Sequence, residues 1–131
     1  MAKIMIADDM ITVQHNLSFI LEAYGHTVCA KAGNCTEAIT KYREHKPDVI
    51  LLDILGMQSF FPESKKEIDS FDVIKLIITE DREATIIILT ATPKEDYIKK
   101  ALLLGAKGFL AKGASNEKII GTIEDLMSKK I

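Results

Sequence analysis

At 131 residues with 47% hydrophobic content, the chain is long enough to bury one core and too short for two ordinary domains. Its formal net charge of -2, with Lys interspersed among Glu and Asp, leaves no basic stripe to track a phosphate backbone, which counts against direct nucleic-acid binding. Met1 to Ala7 holds one Lys and a short apolar run that leads into two aspartates; this is neither a signal peptide nor a membrane span, so a cytoplasmic chain without membrane insertion is expected.

Lys3 to Ala7 reads as a short strand, followed by Ile11, Leu17, Ile20, Leu21 and Tyr24 at helical spacing up to the helix stop Gly25. Thr27 to Ala32 is a second strand, and Asn34 with Glu37 three residues on resembles a capping box opening a helix that carries Ala38, Ile39 and Tyr42. Cys29 and Cys35 lie on that strand and at that helix start; with no second pair or histidine cluster, they read as reduced thiols rather than zinc ligands. His15, His26 and His45 are scattered and read as surface or helix residues with no ligand role.

Asp48 to Leu52 is apolar on both faces, as a central parallel strand covered by helices should be, and it delivers Asp53 to the sheet edge. Gly56 to Asp69 is the one irregular stretch, expected to fold over or beside that edge, with Phe60 and Phe61 packing on a neighbouring helix or a partner. A helix with Phe71, Ile74, Leu76, Ile77 and Ile78 follows. Thr85 to Leu89 repeats the buried-strand pattern, with Thr90 at its end and Pro93 predicted in the first turn of a helix that runs to Leu104. Lys107 to Ala111 is the last strand, and Ser115 caps a final helix with Ile119, Ile120, Ile123 and Leu126 inward.

Five strand–helix units predict an α/β fold: a doubly wound, five-stranded parallel sheet in the order 2-1-3-4-5, a flavodoxin-like (βα)5 three-layer sandwich over residues 1–131 with an extended loop at 56–69. Right-handed crossovers place helices one and five on one face and two to four on the other. Asp8, Asp9, Asp53, Thr90 and Lys112 then meet at the carboxyl edge, where such folds bind ligands. Three converging carboxylates repel one another unless a cation neutralises them, and an all-oxygen set with room for water suits Mg²⁺. A carboxylate oxygen left free can attack a phosphoryl group, with Lys112 and the Thr90 hydroxyl stabilising its oxygens. Taken singly, Asp8 or Asp9 also fits a helix cap or turn, Thr90 a helix cap and Lys112 a solvated strand end, and their joint placement favours the site; Phe109 is explained equally well by core packing.

The acidic pair Asp8-Asp9, DVILLD ending in Asp53, ILTA with Thr90, and GAKGFLAK with Phe109 and Lys112 resemble, in order and placement, a receiver domain of two-component response regulators. That resemblance implies a phospho-acceptor switch rather than an enzyme, limited to Mg²⁺-dependent self-phosphorylation and autodephosphorylation. Asp53 is the implied phosphoacceptor, with Mg²⁺ on Asp9 and Asp53, on Asp8 mainly through water, and on the Leu55 backbone carbonyl. Lys112 pairs with the phosphoryl oxygens, Thr90 swings toward them and Phe109 moves inward, which reshapes the face of the fourth strand, fourth helix and fifth strand. The implied partners are a sensor histidine kinase or phosphotransfer protein and a downstream protein target, with a homodimer through the fourth helix, fifth strand and fifth helix as an option.

Three positions depart from the family pattern. The loop after Asp53 is longer by about nine residues, counted to Ser70 where the family has Gly, whereas such loops usually run about 2–6 residues. Gly113 stands after Lys112 where proline is usual, so that bond is either strained or a flexible trans link. Leu55 stands where a polar residue is common and should hinder an attacking water. A phosphorylation-independent scaffold and a receiver cut from a longer regulator are the alternatives; a haloacid-dehalogenase-type phosphatase needs a second aspartate where Leu55 stands.

Overall fold

The computed structural model describes residues 2–129. In chain order the elements are β1 (Lys3–Ala7), α1 (Ile11–Ala23), β2 (Thr27–Ala32), α2 (Cys35–His45), β3 (Val49–Asp53), β4 (Ser59–Phe61), β5 (Lys66–Ile68), α3 (Ser70–Glu80), β6 (Thr85–Thr90), α4 (Glu95–Leu104), β7 (Gly108–Ala111) and α5 (Asn116–Ser128). Five strands form one parallel sheet in the order β2-β1-β3-β6-β7, which is 2-1-3-4-5 when only its own strands are counted. Every residue of β3 and β6 is buried, because helices cover both faces of the sheet.

Alternation along those strands divides the core in two. Met5, Ala7, Ile50, Leu52, Ile86 and Ile88 pack toward α2, α3 and α4. Their neighbours Ile4, Ile6, Val49, Leu51, Ile87 and Leu89 pack toward α1 and α5. The helices therefore sit as the crossover rule requires. No helix among the described residues is long and apolar enough to cross a membrane.

Helix starts follow local chemistry. Asp69 and Asp72 form a reciprocal capping box at α3, and Ser115 accepts from the Lys118 amide at α5. At α2 the Asn34 side chain accepts from the Glu37 amide, but the Glu37 carboxylate accepts from the Gly33 amide and the Asn34 side chain rather than from the Asn34 backbone amide. Pro93 lies outside α4, whose first residue is Glu95. A residue before proline is pushed out of the helical region, and here Thr90 closes the turn by donating to the Thr92 carbonyl at 2.9 Å, so the helix begins late and Thr90 caps nothing. Ile11 and Tyr24 continue the helical spacing but face solvent, at 65% and 48% exposure. His26 is buried instead of superficial, and its Nδ1 accepts from the Ala2 amide at 3.1 Å.

The expected irregular stretch is an antiparallel hairpin, β4 against β5, with Phe60 opposite Glu67 and Phe61 opposite Lys66. Its first strand docks on the start of α2: the Thr36 amide donates to Ser59 Oγ at 2.9 Å, and Thr36 Oγ1 donates to the Phe60 carbonyl at 2.7 Å. Arg43 on α2 forks to Glu63 in the hairpin turn and to Glu80 at the end of α3. Adjacent residues of a strand face opposite ways, so the two phenylalanines part company. Phe61 is buried with Ile68 between α2 and α3, whereas Phe60 is 59% exposed. Phe61→Ala should therefore destabilise the protein by about 3 kcal/mol, and Phe60→Ala by less than about 0.5 kcal/mol, as measured by urea unfolding.

Candidate functional site

The site is assembled from the ends of β1, β3 and β7, with β6 lying between the last two. Asp8 follows β1, and its amide continues the ladder to the Ala32 carbonyl at 2.9 Å. Its Oδ1 accepts from the Met10 amide at 2.8 Å, a local turn that aims the other oxygen inward. Gln14 from α1 braces the same point by donating to the Asp8 carbonyl at 2.6 Å. Asp53 ends β3 at 3% exposure, and Asp9 is the exposed member of the trio. Lys112 follows β7, its amide bonded to the Thr90 carbonyl at 2.8 Å.

Two buried carboxylates share the Lys112 ammonium. Nζ lies 2.8 Å from Asp8 Oδ2 and 3.2 Å from Asp53 Oδ2. Asp8 Oδ2 makes no directed hydrogen bond and has no solvent, so this ion pair is its compensation. One oxygen from each of Asp8, Asp9 and Asp53 lies within 4.8 Å of the others. Three carboxylates against one ammonium leave two negative charges uncompensated. Oxygen donors carrying that surplus fit a small divalent cation.

Thr90 is buried and its hydroxyl is spent on its own turn. Phe109 on β7 points outward, 44% exposed. Leu55 is 47% exposed beside Asp53, with its amide 3.4 Å from Asp53 Oδ1. Among the described residues no peptide bond is cis, so Gly113 follows Lys112 through a trans link. The structure thus brings together Asp8, Asp9, Asp53 and Lys112, with Thr90 held at the adjacent strand end through the Lys112 amide.

Gly56 is a site residue that the sequence reading passed over. Its φ of +80° is one that L side chains rarely adopt, and a Cβ there would lie 3.2 Å from Asp9 Oδ2. Gly56→Ala should cost about 1 kcal/mol of stability from strain and weaken Mg²⁺ binding several-fold by displacing Asp9. Calorimetric titration checks the second effect, and thermal unfolding the first.

Burial, then repulsion from Asp8, pushes the Asp53 carboxyl up to about 6 from an ordinary 3.8, against the pull of Lys112. Burial works to lower Lys112, but the Asp8 and Asp53 carboxylates outweigh it and hold the ammonium above its ordinary range. Between pH 4 and 6 the folded protein binds more protons at Asp53 than the unfolded chain does, so this group's contribution to stability falls as pH rises through that window. The full difference amounts to at most about 3 kcal/mol. The stability gap between parent and Asp53→Asn should therefore widen from pH 4 to pH 7 without metal, and narrow when Mg²⁺ is added. Urea unfolding at both pH values, with EDTA and with Mg²⁺, measures it.

A family model for the response regulator receiver domain matches residues 4–124. The chemotaxis protein CheY of Treponema pallidum is 28% identical over 125 residues, covering 95% of this chain and 82% of that one. CheY of Thermotoga maritima is 30% identical over 118 residues, covering 90% and 91%. Among solved structures, a CheX-CheY-BeF3-Mg²⁺ complex from Borrelia burgdorferi superposes with a TM-score of 0.81 at 26% identity, covering 95% of this chain and 87% of that one.

Proposed function

The chain belongs to the response regulator receiver domain family, the phospho-accepting signalling modules of two-component systems, and on that premise we propose that Asp53 is its phosphoacceptor. The observation that carries this reading is a buried carboxylate 3.2 Å from a lysine ammonium, with an oxygen of each of two more carboxylates within 4.8 Å of one of its own. An oxygen of Asp53 attacks phosphorus of a phosphohistidine or a small acyl phosphate. The P–N or P–O bond breaks, the leaving group keeps the electron pair, and an acyl phosphate remains on the protein. Lys112, already within ion-pair distance, offsets charge on the transferred oxygens.

Asp9 and Asp53 would hold Mg²⁺, with Asp8 acting mainly through water and the Leu55 carbonyl completing the protein ligands. Magnesium there would supply charge neutralisation for both the carboxylate cluster and the incoming phosphoryl group. The exposed Leu55 side chain would screen the acceptor from hydrolytic water. An acyl phosphate would compete with the Thr92 carbonyl for the Thr90 hydroxyl, and Phe109 would turn inward, so that β6, α4 and β7 form the switching face.

The phosphodonor would be a sensor histidine kinase or phosphotransfer protein, and the output a downstream protein. Exposed Leu103 and Phe109 on the α4–β7–α5 side support a protein partner or a second copy there. Residues 1–131 are read as a single receiver unit that carries the hairpin as an added arm. The test is intact-protein mass spectrometry after incubation with acetyl phosphate: one phosphoryl group should be gained with Mg²⁺ and none with EDTA. No gain under either condition would contradict the reading.

A further inference from the structure

The carboxylate of Asp53 is one side of the acceptor; its backbone is the other. Where β3 ends, the Ile54 amide still pairs with the Leu89 carbonyl at 3.1 Å. The Asp53 carbonyl accepts from Ser70 Oγ at 2.5 Å. Both residues are buried, Ser70 at 1% and Asp53 at 3% exposure, so this hydrogen bond forms without competition from water.

Ser70 is itself rigidly placed. It is the first residue of α3, directly after the Asp69–Asp72 capping box that fixes where that helix starts. Its hydroxyl also lies against the thiol of Cys35, the first residue of α2. The Cys35 amide donates to the Met57 carbonyl at 2.8 Å, and Thr36 holds Ser59 and Phe60. The first turn of α2 thus grips the chain as it leaves the acceptor, and Ser70 grips the acceptor's own peptide where the chain returns. Between these two anchors lies the segment that carries Leu55 and Gly56, the latter packed on Asp9.

We propose that Ser70 is a positioning residue for the phosphoacceptor: its hydroxyl locks the peptide between Asp53 and Ile54, and so sets both the aim of the Asp53 carboxylate and the approach of residues 54–56 to Asp9. This rests on Asp53 being the acceptor. Ser70→Ala removes the hydroxyl from a helix start that Asp69 already caps, so the fold survives. The loosened peptide lets the carboxylate and the 54–56 segment drift apart.

The experiment compares parent, Ser70→Ala and Ser70→Thr, the last of which keeps the hydroxyl. Ser70→Ala should weaken Mg²⁺ binding about fivefold, the worth of one ordinary hydrogen bond. It should slow phosphorylation by acetyl phosphate at saturating donor while leaving the donor KM unchanged, and it should shift the Ile54 amide resonance of the metal-free protein. Ser70→Thr should recover affinity and rate. Unchanged metal affinity, rate and Ile54 resonance in Ser70→Ala, with only a lower unfolding midpoint, would make Ser70 a packing residue and overturn the proposal. Should the parent carry its phosphoryl group elsewhere than Asp53, the acceptor assignment fails, while the metal titration and the Ile54 resonance still decide what Ser70 does.

Discussion

Asp53→Asn should abolish acid-labile phosphorylation and, in metal-free protein at pH 7, raise stability by about 1–2 kcal/mol. The two effects share one cause. Asp53 is charged at pH 7 only at a cost, because burial and the neighbouring Asp8 both oppose its ionisation and hold its carboxyl near 6. An amide of the same shape removes that charge; it also removes one partner of Lys112, which retains Asp8 at 2.8 Å, so the gain is less than the full difference. A site built for stability alone would not place an ionised group there, and a bound cation would relieve the cost. Urea unfolding with EDTA and phosphorylation with Mg²⁺, on the same preparation, check both halves. A variant less stable than the parent would mean that the carboxylate is stabilising as it stands.

Lys112→Met should have the largest structural effect. Asp8 is fully buried, and its Oδ2 faces the ammonium without any directed hydrogen bond. Removing one partner of a buried pair costs about 3–5 kcal/mol, because the other charge stays behind uncompensated. Mg²⁺ should restore part of this by supplying another cation. Phosphorylation should remain slow even at saturating Mg²⁺, by about 10²-fold or more, since loss of one pre-placed charge partner for a transferred oxyanion costs that much. Thermal unfolding with and without Mg²⁺, beside initial labelling rates, separates the two roles. Equal rates for variant and parent at saturating metal would leave Lys112 purely structural.

How much of this was legible in the chain depends on range. β3 and β6 were readable because DVILL and TIIIL are continuous apolar runs, and the residues ending them, Asp53 and Thr90, fall where a parallel sheet exposes its carboxyl edge. The hairpin was not, since strands of three residues carry too few positions for a period of two to show. Phe60 and Phe61 consequently read as one aromatic cluster, although a strand must send them to opposite sides. Ser70 was visible only as a small residue at a helix start, a position where serine ordinarily caps; its bond to the Asp53 carbonyl spans seventeen residues and depends on how the hairpin returns the chain. His26 likewise looks superficial until the Ala2 amide is brought to it across twenty-four residues. Strand ends are local features, whereas the braces that position them are tertiary.

On the proposed reading Asp53, and no other carboxylate of the cluster, takes the phosphoryl group. Borohydride reduction of the acetyl phosphate-treated protein, followed by peptide mass spectrometry, converts an acyl phosphate on aspartate into homoserine at the modified position. Homoserine is expected at residue 53, formed with Mg²⁺ and absent with EDTA. Homoserine at position 8 or 9, or the same yield with and without the metal, would contradict that reading.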